Sequence, residues 1–97
     1  MGLVGELMKL DFNETNILVQ ALASMEQDKM ALGKSELIRL LCVLYDNTSD
    51  ELRFVRVSIK SLISKIENLS DENIKKIQDD KAQGKIVATT CYRLPNN

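Results

Sequence analysis

Residues 33–46 read GKSELIRLLCVLYD, and no other part of the 97-residue chain sets so many large apolar side chains within one helix length. Leu37, Ile38, Leu40, Leu41, Val43, Leu44 and Tyr45 overfill a single stripe of helical period, so this helix is expected to be buried on most of its circumference, with neighbours on at least two sides. A chain this short buries only about 60–65% of its unfolded surface. The apolar surplus therefore predicts a second molecule against Leu40 and Val43, and a homodimer is the simplest expectation. Within the same helix Cys42 reads as a small buried hydrophobe.

Working outward, residues 7–12 (LMKLDF) alternate, which is the period of a short strand with Met8, Leu10 and Phe12 on one side and Leu7, Lys9 and Asp11 on the other. Asn13 is placed to cap a first helix over about residues 14–26, whose apolar positions are Ile17, Leu18, Ala21, Leu22 and Met25. The next six residues, 27–32, show no period and read as a loop or a frayed helix end. The second helix opens at Gly33, with Ser35 as a competing cap, and stops at Asn47. Thr48 and Glu51 form a T-x-x-E capping box for a third helix.

Leu52, Val55, Ile59, Leu62, Ile66 and Leu69 then recur at alternating spacings of three and four, a heptad seam. Phe54, Val57 and Ile63 widen its apolar arc, and Ser58, Ser61 and Ser64 form a strip of small residues that lets another helix approach. Ser70 caps a fourth helix over about 71–83, with Leu69 stapled to Ile74 and with Ile74, Ile77 and Ala82 to bury; Gly84 ends it. Residues 85–94 (KIVATTCYRL) suit a short strand that pairs with the N-terminal one, and 95–97 fray. The expected fold is thus mainly α, a single domain over 1–97: a strand-helix-helix unit at 7–46, a helical hairpin at 48–83 and a tail at 85–97.

Charge and composition narrow the function classes. Residues 1–48 carry four basic and seven acidic side chains, residues 49–97 nine and seven, so neither half supplies the field that non-specific phosphate binding needs. Histidine is absent, which removes the commonest general base and His-ligated metal sites. Cys42 and Cys91 have no metal-ligand spacing, and Gly2, Gly5, Gly33 and Gly84 make no phosphate loop. The inventory predicts no enzyme, no cofactor, no metal and no small-molecule substrate. No run reaches the ~18 apolar residues of a membrane span. The N-terminus lacks a leader's uninterrupted apolar run, so a soluble protein with reduced thiols in a cytoplasm is expected, Cys91 being the more exposed of the two. Arg53, Arg56 and Lys60 line one stripe of the third helix, either a solvated flank of the seam or a site for an acidic partner or phosphates.

The order of elements over residues 7–46, with GKSELIR opening the second helix, resembles the ribbon-helix-helix family of dimeric repressors and plasmid-partition proteins. That resemblance implies a strand paired with its dyad mate and a major-groove contact from Leu7, Lys9 and Asp11. It also implies phosphate held at Lys34 and Ser35 on a helix N-terminus. Asp11 and the acidic N-terminal half depart from the pattern. The competing expectation is a purely helical protein-protein interaction module, an adaptor or inhibitor, whose interface is built from Leu40, Val43, Phe54, Val57 and Ile63.

Overall fold

Asp11 decides where the first helix begins. Its carboxylate accepts from the Glu14 amide at 2.8 Å, while the Glu14 carboxylate accepts from the Asp11 amide at 3.0 Å, a reciprocal capping box. Thr15 adds a hydroxyl bond to the Asp11 carbonyl at 2.8 Å. In the computed structural model, which describes residues 9–27, 33–87 and 91–95, helix α1 therefore spans Phe12–Gln27. Two expectations are corrected. Asn13 is not the cap, and the strand over 7–12 is cut short because Asp11 and Phe12 belong to the helix start; Phe12 is half exposed. Leu7 and Met8 lie outside the described residues. What remains of the strand pairing is one isolated antiparallel bridge, Lys9 to Arg93.

Helix α2 spans Lys34–Asn47 with Gly33 as its N-cap, so Ser35 does not serve as one. Only Leu37 and Leu41 are fully buried, with Ile38, Leu40, Leu44 and Tyr45 partly buried against the same core. Burial on most of the circumference is therefore not seen within one chain: Val43 is 48% exposed and Cys42 is exposed rather than buried. Arg39 and Asp46, three residues before and four after Cys42, share its face and hold it toward solvent.

Between α2 and the next helix, Thr48 does not cap. Its hydroxyl donates back to the Leu44 carbonyl at 2.6 Å, and Ser49 accepts from the Glu51 amide at 3.2 Å, opening a 3₁₀ turn over Asp50–Leu52. Helix α3 follows over Arg53–Glu67 and packs against both α1 and α2. The seam holds over most of its length, since Ile59, Leu62, Ile66 and Leu69 are buried and Val55 is partly so, whereas Leu52 is 45% exposed on the turn.

Ser70 caps helix α4, Asp71–Ala82, by accepting from the Asn73 amide. Leu69 and Ile74 are both buried in the core cluster. Ile74 and Ile77 are buried as expected, but Ala82 is exposed and Asn73 takes a buried place instead. Gly84 sits at φ 78, with its amide on the Lys81 carbonyl and the Lys85 amide on the Asp80 carbonyl, a Schellman end that favours glycine.

Residues after Gly84 form no strand among those described, and they are not a tail. Ile86, Tyr92 and Leu94 are buried in the common core. The Leu10 amide donates to the Tyr92 carbonyl at 2.7 Å, the Tyr92 amide to the Thr15 hydroxyl at 3.2 Å, and the Tyr92 hydroxyl to the Asp80 carboxylate at 2.6 Å. This segment straps the start of α1 to the end of α4. No helix of the described residues is long and apolar enough to cross a membrane.

Two outcomes follow from the strap. Leu94→Ala is expected to lower unfolding free energy by about 2–4 kcal/mol in urea titrations, as for a buried leucine; a dispensable tail would cost nothing. Burial, reinforced by the bond to Asp80, pushes the Tyr92 hydroxyl well above its ordinary value. The folded state thus holds this proton more tightly than the unfolded one. Its stabilising effect is complete below pH about 10 and is lost as pH rises beyond that. Unfolding free energy measured across that alkaline range should fall more steeply for the wild type than for Tyr92→Phe.

Candidate interaction surface

The α2–α3 hairpin carries an open groove on its outer side, built from one pinned arginine outward. Arg56 donates from one guanidinium nitrogen to the Thr48 carbonyl at 3.0 Å and to the Asp50 carboxylate at 2.9 Å, and its guanidinium carbon lies 4.3 Å from the centre of the Tyr45 ring. Asp50 is almost wholly exposed, so the ion pair is screened and contributes little. The carbonyl and the ring do most of the positioning.

Two hollows run from this clamp. One, of about 350 Å³, is lined by Tyr45, Asp50, Arg53, Arg56, Val57 and Lys60. The other, of about 460 Å³, is lined by Cys42, Tyr45, Asp46, Lys60, Ile63, Ser64 and Glu67. Tyr45 and Lys60 belong to both, so the hollows adjoin. Arg56, first through hydrogen bonding and then through its charge, holds the Tyr45 hydroxyl below its ordinary value; Lys60 acts in the same direction, and partial burial and Asp46 oppose. Among the described residues Arg53 and Lys60 form no ion pair, and both are exposed. Val57, between them on the same ridge, is 61% exposed, as is Phe54.

The sequence-derived interface is thereby divided. Val57 lines the first hollow and Ile63 the second; Phe54 lines neither, since it lies about 160° around α3 from Arg56. Leu40 and Val43 do not join them. Val43 lies two residues before Tyr45, about 160° around α2 from it, and Leu40 about 140°. The basic stripe is also divided, because Arg56 is structural while Arg53 and Lys60 remain available. Tyr45 and Cys42 were read as core and prove to line the groove; the polar pair Arg39 and Asp46 was the signal for Cys42.

The residues implied by the ribbon-helix-helix resemblance are engaged elsewhere. The Lys34 ammonium donates to the carbonyls of Glu67 at 3.2 Å and Leu69 at 3.0 Å, where a cation suits the end of α3. Its amide faces the Asp71 carboxylate at 3.3 Å, so a side chain already sits where phosphate would. Ser35 is exposed and makes no cap, Asp11 caps α1, and Leu7 lies outside the described residues. Lys9 is exposed, but its carbonyl accepts from Lys65 at 2.9 Å and its backbone bridges to Arg93. No known protein family, characterised protein or solved structure matches the chain.

The clamp distinguishes otherwise similar cations. Arg56→Ala should lower the urea midpoint measurably, because it removes the bond to Thr48 and the stack on Tyr45. Arg53→Ala and Lys60→Ala should leave that midpoint unchanged. Equal losses in all three would remove the distinction.

Proposed function

We propose that the protein is a non-enzymatic helical interaction module that receives a segment of another protein in the outer groove of its α2–α3 hairpin. The observation that carries this reading is the combination of two adjoining hollows, exposed Val57 in their lining, and two cations, Arg53 and Lys60, that form no ion pair among the described residues. Exposed apolar area beside charged side chains that hold no ion pair among the described residues is the composition of a recognition surface, with attraction for steering and apolar contact for retention.

DNA is the less favoured occupant. The amide and ammonium of Lys34 already have partners, and Asp46, Asp50 and Glu67 line the same hollows as the cations, where they repel a duplex that carries one charge per about 1.7 Å.

The test is selection from a random-peptide display library on the immobilised full chain. Enrichment is expected of peptides that fail to bind Val57→Glu, a variant whose urea midpoint should match the wild type because the side chain is solvent-facing. No enrichment, or peptides that bind both forms equally, would overturn the reading. So would binding to mixed duplex DNA that disappears steeply as salt is raised, or a dimer in sedimentation that Val57→Glu dissociates, which would assign the groove to a second copy of the chain.

A further inference from the structure

The groove's charges are spaced in a way that narrows its occupant. Arg53, Val57 and Lys60 stand at i, i+4 and i+7 on α3, so the two cations are separated by two helical turns, roughly 10 Å along the axis at 1.5 Å per residue, with an exposed apolar side chain between them. A helix laid along the groove repeats its own side chains at the same interval. We infer that the partner segment is an acidic amphipathic helix, with an apolar side chain against Val57 and carboxylates two turns apart facing Arg53 and Lys60. This rests on the docking reading above and adds the partner's chemistry to it.

Two observations support an acidic helix over other anions. The hollows also contain Asp46, Asp50 and Glu67, so a suitable ligand must place negative charge at some positions and withhold it at others. A side-chain pattern on a helix does this, and a polyphosphate chain with charge at every repeat does not. Finally, the surface is concave and shared between two helices, which matches a convex helix ridge better than the broad face of a bilayer. Arg56 cannot swing away to neutralise itself on the ligand, because Thr48, Asp50 and Tyr45 hold it. Arg53 and Lys60 are the adjustable contacts.

The experiment is a displayed helix library with leucine fixed at the i, i+3, i+4, i+7 positions and the flanking positions randomised among Glu, Gln and Lys, selected on the full chain. Glu should be enriched over Gln at the flanks by about two- to fivefold per position, the ratio an exposed ion pair supplies, and binding of the selected peptides should weaken as salt rises. On the Arg53→Glu/Lys60→Glu double variant the preference should turn to Lys. Its urea midpoint should equal the wild type's, since neither residue makes an ion pair among the described residues. Enrichment with no charge preference, enrichment of Lys on the wild type, or a Glu preference that persists in the double variant would overturn the inference and leave the docking reading standing. Enrichment from the random library with none from the helical one would do the same, by making the bound segment non-helical. No enrichment from either library would overturn both.

Discussion

The carboxylate of Glu14 is the constraint around which the other elements arrange themselves. Its side chain is 3% exposed, and an ionised group at that depth is tolerated only with full compensation. Compensation comes from the Lys65 ammonium at 2.9 Å, the Ser61 hydroxyl at 2.8 Å and the Asp11 amide at 3.0 Å, while Lys65 also donates to the Lys9 carbonyl. One side chain thus binds the entry segment, the first turn of α1 and the middle of α3. Thr15, the next residue, accepts from the Tyr92 amide and brings in the C-terminal strap. An ion pair of this kind adds little net stability over an apolar replacement, but removing one member leaves the other charge buried. Its contribution is to fix arrangement.

The rotation of α3 about its axis follows from it. Ser61 and Lys65 must face α1, and the small side chains at Ser58 and Ser61 permit that approach. Ile59, Leu62 and Ile66 then face the core, and Arg56 and Ile63 turn toward α2, where Tyr45 receives the guanidinium. Arg53, Val57 and Ser64 are left pointing outward, with Lys60 at the groove's edge. The groove is therefore the face that remains once a buried charge has been satisfied, and its residues are those that the core does not need.

Much of this was legible in the residues, to different depths. The helical seam from Ile59 to Leu69 and the apolar stripe of α1 were readable because aliphatic spacing reports burial directly. Caps were readable only to within a residue or two: Asp11 competes with Asn13, and Ser49 with Thr48, and each pair offers equivalent local chemistry that tertiary contacts decide between. Helix α2 showed an excess of apolar side chains but not which of them would be covered, since its pattern admits several rotations. The strap was hidden for a different reason. Alternation over residues 85–94 suggested an extended segment, but the contact from Leu10 to Tyr92 joins the two ends of the chain, and no local period encodes a pairing at that distance. The partnership of Glu14 with Lys65 was hidden in the same way.

The basic stripe shows how the same limit applies to function. Arg53, Arg56 and Lys60 are alike in sequence, and only the fold makes them unlike. Arg56 is held at one end by the Thr48 carbonyl and on its face by the Tyr45 ring, so it loses no further freedom when a ligand arrives. Arg53 and Lys60 keep the rotamer freedom of long exposed side chains, up to about 2 kcal/mol each, and must surrender part of it on binding. A surface with one rigid and two mobile cations can adjust to the spacing of a partner's carboxylates. Selectivity then resides mainly in the apolar contacts at Val57 and Ile63, whose positions α3 fixes, and the mobile charges act chiefly on the rate of encounter.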